Sequence, residues 1–231
     1  MRVAFYGDSL TQGIPGVSFF DVLEPLLPRH KLLNFGKRGD TVVSLCRRIA
    51  RHGPQDPLDL AVLWVGANDV LATVSRSHST LKWLMCQRRA RDLVEFREYY
   101  HRILTHLRGP ADTILTVSPL LIGENPSNPW NKRLEELCMI IESMSESFDR
   151  VHYLNLRAEL STSLGARAPS DYAPKSVTRI ALESLFLRSP AGVDKAASRR
   201  GLQLTLDGVH LNSKGAKVVA ETFRRAITDL S

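Results

Sequence analysis

Cysteine is scarce in this sequence: Cys46, Cys86 and Cys138 are the only ones among 231 residues. Three scattered thiols cannot build a disulfide framework, and no pair of them has metal-ligand spacing. Long apolar runs are missing too. No stretch approaches the roughly 20 residues of a membrane-spanning helix. Near the start, Val3-Ala4-Phe5-Tyr6 is too short for the apolar region of a secretory signal before Gly7 and Asp8 interrupt it. Internal repeats and low-complexity tracts are absent as well. What remains is the expectation of a soluble, cytoplasmic globular chain with free thiols. At this length it is one domain, long enough to bury a sizeable core.

Acidic residues are outnumbered, 24 Asp and Glu against 31 Lys and Arg, for a net charge of +7. The excess is not spread evenly. Residues 75–102 hold 7 basic and 3 acidic side chains, and residues 157–203 hold 8 and 4. These two segments together account for the whole surplus. Charge runs are usually solvated faces. Here Leu81-Lys82-Trp83-Leu84-Met85 and the run from Ile180 to Leu187 set apolar side chains among the arginines. A basic, partly apolar wall of this kind would favour an acidic substrate or an anionic lipid surface. No nucleic-acid recognition motif accompanies the charge, so nucleic acid is set aside as a partner.

The remaining chain alternates between two periodicities. Short apolar runs at 2–6, 31–35, 60–65, 113–117 and 151–156 read as strands, and the continuous run Leu60 to Val65 reads as one buried on both faces. Helical spacing appears over 17–27, from a cap at Asp40 or Thr41 to Gly53, over 91–108 and 129–148, and over 213–227. Strands alternating with helices predict a parallel five-stranded sheet covered on both faces. With right-handed crossovers the expected order is 2-1-3-4-5. The stretches at about 73–90 and 157–203 break the alternation and read as insertions, the places where lids and binding loops are found.

Chemistry-bearing residues sit where these strands end. Ser9 follows the first strand after Gly7, at the edge of an open α/β sheet where ligands bind. A serine there is more often a turn residue than a nucleophile, so its neighbours must decide. Gly39, in the turn after the second strand, allows its N–H to approach a reacting oxygen, or else serves the turn alone. Asn68 ends the central strand and is either a helix cap or a neutral donor for an oxyanion. Just before the last helix, Asp207 and His210 are three residues apart. A single turn can join that carboxylate to one ring nitrogen and leave the other nitrogen for the Ser9 hydroxyl. Asp8 and Asp69 lie near these positions without histidine partners and are expected to cap or brace loops. The other histidines, His30, His52, His78, His101, His106 and His152, lie on separate elements. No metal site and no cofactor is expected.

Gly7-Asp8-Ser9-Leu10, Gly39, Gly66-Ala67-Asn68-Asp69 and Asp207-Gly208-Val209-His210 together resemble, in order, the motif blocks of the SGNH or GDSL hydrolases. The resemblance covers about residues 1–72, 91–156 and 204–231, and leaves out the insertions at about 73–90 and 157–203. It implies a flavodoxin-like three-layer α/β/α sandwich and a serine ester hydrolase acting on an O-acyl or lipid ester through an acyl-serine intermediate. Ser9 would be the nucleophile, His210 the base and Asp207 its orienting acid. The Ser9 and Gly39 N–H groups and the Asn68 amide would form the oxyanion hole. Acyl transfer to a substrate hydroxyl would use the same residues, and a binding protein of this fold would use none of them. Retention of all five positions favours an enzyme.

Overall fold

The computed structural model describes residues 1–54, 56–74, 88–165, 169–172, 187 and 189–231, with the backbone alone at 72–74. The apolar stretches 81–85 and 180–186 lie outside the described residues, together with the rest of 75–87 in the first basic segment and of 173–186 in the second.

Five strands, β1 (Arg2–Gly7), β2 (Lys31–Gly36), β3 (Leu58–Trp64), β4 (Ala111–Val117) and β5 (Val151–Leu154), form one sheet in the order β2-β1-β3-β4-β5. All pairings are parallel, with Val3 beside Leu32 on one side and Leu60 on the other, and Ile114 beside Val151. This is the order expected from the sequence. The chain runs outward from β1 to β2, then reverses across β1 to β3. The crevice beyond the carboxyl ends of β1 and β3 is therefore the topological switch point of the sheet.

Nine helices are described: α1 (Ser9–Gln12), α2 (Phe19–Leu23), α3 (Val42–His52), α4 (Ala67–Val74), α5 (Leu93–Leu107), α6 (Pro129–Glu146), α7 (Leu156–Ser163), α8 (Pro190–Arg199) and α9 (Ser213–Asp229). Alternation along each strand divides the core in two. Ala4, Tyr6, Ala61 and Leu63 face α3, α5 and α6 through Leu45, Ile49, Tyr100, Ile103, Leu134 and Ile141. Val3, Phe5, Leu60, Val62 and Trp64 face α2, α7 and α9 through Phe19, Leu23, Leu160, Val219 and Phe223. Phe5 meets Phe223 edge to face with centroids 5.3 Å apart. The result is the three-layer sandwich that the sequence predicts.

Thr41, and not Asp40, caps α3, exchanging bonds with Ser44 in a capping box. Asp40 is drawn away by Arg48, 2.7 Å distant. The helix expected over 17–27 starts after the Ser18 cap and tightens into a 3₁₀ turn at Glu24–Leu26, where Pro25 has no N–H for a longer helix. Inside the stretch read as an insertion at 157–203, α7 and α8 are regular helices. Leu156 and Leu160 of α7 belong to the core beneath α9.

Candidate active site

The first corner of the site is the turn from β1 into α1. A Cβ on Gly7 would lie 2.1 Å from Thr11 Oγ1 and 2.5 Å from the Trp64 carbonyl, so only glycine lets β1 pass this close to β3 and α1. Asp8 caps α1, its Oδ1 accepting from the Leu10 N–H at 2.9 Å. The cap sets Ser9 at the first helical position, facing the crevice. Its Oγ lies 3.0 Å from His210 Nε2.

The second corner is the loop before α9. Thr205 bridges Leu211, and the Leu206 N–H donates to the His210 carbonyl at 2.6 Å, closing residues 205–211 into one tight turn. Within it Asp207 Oδ1 accepts the Val209 and His210 N–H groups at 3.0 and 2.9 Å, while Oδ2 lies 2.8 Å from His210 Nδ1. With the Nδ1 proton donated to Asp207, the Nε2 lone pair faces Ser9. Both side chains are buried. Burial alone would push the Asp207 carboxyl up and the His210 ring down. Their mutual attraction and hydrogen bond outweigh it, holding Asp207 below and His210 above their ordinary values. Asp8 adds to the upward pull on His210, and the Arg38 guanidinium opposes it.

The third corner is the end of β3. Asn68 is buried in the first turn of α4, and its Nδ2 donates to Asp8 Oδ2 at 2.9 Å. An amide nitrogen carries two protons, so this bond leaves a second donor on the same atom. Gly39 lies in the β2–α3 turn with a left-handed φ of 76°. That turn rests on the end of β1 and on α1, with the Lys37 N–H on the Gly7 carbonyl at 3.0 Å and the Arg38 N–H on Gln12 Oε1 at 2.9 Å. Ser9, His210 and Asp207 are thus in direct contact and Asn68 reaches them through Asp8. Gly39 comes to the same corner through its neighbours in the turn.

Asp69 braces two segments, its Oδ2 accepting from the Val42 N–H and its Oδ1 from the Ala90 N–H, at 3.0 and 3.2 Å. Among the described residues no three His, Cys, Asp or Glu side chains gather as metal ligands would. Two residues escaped the sequence reading. Arg38 acts on His210 through space, and Glu124, in the loop after β4, binds the chain just ahead of Asp207. Neither has a periodic or motif signal, since both act through loops that meet only in the folded chain.

The surrounding fold is shared with solved esterases. An acetyl xylan esterase superposes with a TM-score of 0.69 at 21% identity, covering 98% of this chain and all of that one. An α/β hydrolase from the metagenome of Lake Arreo, Spain, gives 0.68 at 19%, covering 100% and 96%. An acetylxylan esterase from Geobacillus stearothermophilus gives 0.65 at 18%, covering 98% and 93%. Among curated proteins no sequence matches. The model of one family does match, over residues 5–218, which includes Ser9, Gly39, Asn68, Asp207 and His210, and by that match the chain belongs to the GDSL-like lipase/acylhydrolase family.

Proposed function

We propose that the chain hydrolyses carboxylic esters through an acyl-enzyme on Ser9. His210 Nε2 takes the hydroxyl proton as Ser9 Oγ attacks the ester carbonyl, and Asp207 stabilises the imidazolium that forms. The tetrahedral oxyanion is received by the Ser9 and Gly39 N–H groups and the second amide proton of Asn68. Collapse breaks the ester C–O bond, and His210 returns its proton to the departing alcohol. Water then attacks acyl-Ser9 with the same base, releasing the acid and restoring the hydroxyl. The observation that carries this reading is the unbroken relay Ser9–His210–Asp207, at 3.0 and 2.8 Å.

The esterase neighbours named for acetyl xylan make small acetyl esters of carbohydrates the first substrates to test. The basic segments are the candidates for extending recognition toward acidic substrates or anionic lipid surfaces. The test is labelling by a fluorophosphonate, run beside hydrolysis of a p-nitrophenyl ester series, acetylated xylo-oligosaccharides and a lysophospholipid. Wild type should label and Ser9→Ala should not. Full ester hydrolysis by Ser9→Ala would refute the assignment, and the preferred chain length would identify the acyl group.

A further inference from the structure

Glu124 is a buried carboxylate, 5% exposed, that takes no part in the proton relay. Its Oε2 accepts the Gln203 N–H at 2.7 Å. Its Oε1 accepts the Leu204 N–H at 2.8 Å, the Thr205 N–H at 2.9 Å and the Thr205 hydroxyl at 2.8 Å. Among the described residues no cation pairs with it, so three backbone dipoles and one hydroxyl compensate the charge. Such charge-assisted bonds are about twice as strong as neutral ones. They fall on consecutive residues of a segment that belongs to no strand of the sheet.

The chain of contacts continues in both directions. Thr205 Oγ1, having donated to Glu124, accepts the Gly208 N–H at 3.1 Å, and Gly208 lies between Asp207 and His210. The Gly123 N–H donates to the Gly208 carbonyl at 2.7 Å. Behind Glu124, Asn131 accepts the Ile122 N–H at 3.0 Å and donates to the Asn125 carbonyl at 2.7 Å. Asn128 donates to the Ile122 carbonyl at 2.7 Å. The first turn of α6 therefore fixes the loop on both sides of Glu124.

We propose that Glu124 and Thr205 are positioning residues for the reaction: they register the Asp207–His210 turn against the sheet so that His210 Nε2 meets Ser9 Oγ. This rests on the roles assigned to Ser9, Asp207 and His210, and it names what holds two of them in place. Ser9 is fixed by β1, whereas His210 comes from the far end of the chain and needs its own anchor. A misplacement of about 1 Å between reacting groups can cost about 10²-fold in rate.

Thr205→Val keeps the shape of the side chain and removes the hydroxyl that links Glu124 to Gly208. Thr205→Ser restores the hydroxyl. Glu124→Gln keeps the volume but turns an amide donor toward an N–H. Rates per active site, counted by fluorophosphonate titration, are measured on a p-nitrophenyl ester with melting temperatures alongside. In Thr205→Val we expect kcat to fall between about 10- and 100-fold with KM nearly unchanged. Thr205→Ser should recover most of the loss, and Glu124→Gln should lose at least as much as Thr205→Val. If Glu124→Gln does not fold, the Thr205 pair decides. Wild-type kcat per active site in Thr205→Val, even with a lowered melting temperature, would reduce the network to a structural brace and overturn the proposal. Activity in Ser9→Ala would sink the relay itself, and the proposal with it.

Discussion

Asn68 donates its side-chain amide to the Asp8 carboxylate at 2.9 Å, so the residue before the candidate nucleophile holds the amide at the end of the central strand. The other oxygen of Asp8 caps α1 through the Leu10 N–H. One buried carboxylate therefore sets both where Ser9 begins its helix and which way Asn68 turns. A free amide can flip, exchanging a donor for an acceptor. Held by Asp8, the amide keeps one orientation, with a second N–H left on the same nitrogen.

Removing that donor should be felt in the transition state. Asn68→Ala is expected to lower kcat by roughly 10²–10³ with little change in KM. Asp8→Asn keeps an acceptor for the Leu10 N–H but sets an amide donor against the Asn68 donor, and should reproduce part of the same kcat loss. Steady-state kinetics on one ester checks both. A large KM effect with kcat preserved would make Asn68 a ground-state contact.

Asp207→Asn changes one atom and should be far more damaging than its size suggests. The asparagine oxygen can still accept the Val209 and His210 N–H groups, so the turn should survive. Its amide, however, would face His210 Nδ1 as a donor and drive the ring proton to Nε2, the nitrogen that must be empty to receive the Ser9 proton. We expect turnover to fall by on the order of 10³–10⁴ while the far-ultraviolet circular dichroism is unchanged. Activity near wild type would remove Asp207 from the mechanism.

Much of this was legible in the sequence because it is local. Gly7 and Ser9 are adjacent to one strand, Asp207 and His210 are one turn apart, and Leu60 to Val65 announces a strand buried on both faces. The sheet order follows from alternation and handedness. What stayed hidden is contact between distant loops. Glu124 meets residues 203–205 only because β4 ends beside the last loop, and no spacing rule links those positions. The short helices α1 and α4 offer too few turns for a periodic signal. At residue 41 two cap candidates stood side by side, and the choice fell to Arg48, which engages Asp40 from two turns further along α3.

The pH dependence has a definite sign. Only neutral imidazole can accept the Ser9 proton, so kcat/KM should rise with pH through the His210 pKa. Burial by itself would lower that pKa, but Asp207 outweighs it and Asp8 adds to the rise, so the midpoint should lie above the ordinary value of 6.5. Arg38→Gln removes the opposing charge and should move the limb to higher pH. Asp8→Asn removes a supporting charge and should move it lower. A pH–rate profile for the three proteins tests the signs together, and a wild-type midpoint below 6.5 would mean that burial prevails over the Asp207 charge.

Gly208, inside the Asp207–His210 turn, should be the most sensitive glycine of the site. Its φ is 88°, a left-handed value that costs a residue with a Cβ about 1–2 kcal/mol. A Cβ there would also lie 2.0 Å from the Tyr172 carbonyl oxygen and 3.3 Å from Gly123 Cα. Both neighbours are backbone, so no side-chain rotation relieves the overlap. Nor can residues 170–172 simply withdraw, because the Glu124 N–H holds the Ser170 carbonyl at 2.7 Å and Asn125 holds Asp171 at 2.9 Å. The turn itself must yield, and it carries Asp207 and His210. Gly208→Ala should therefore destabilise by more than about 2 kcal/mol, a fall in melting temperature of at least about 4 °C for a chain of this size. It should also lower kcat at temperatures where the fold is intact. Gly109→Ala is the control, since a Cβ there meets nothing within 4 Å, and its melting temperature should stay near that of the wild type. Equal effects in the two variants, measured by thermal denaturation, would show that the close approach of Tyr172 to Gly208 does not constrain the site.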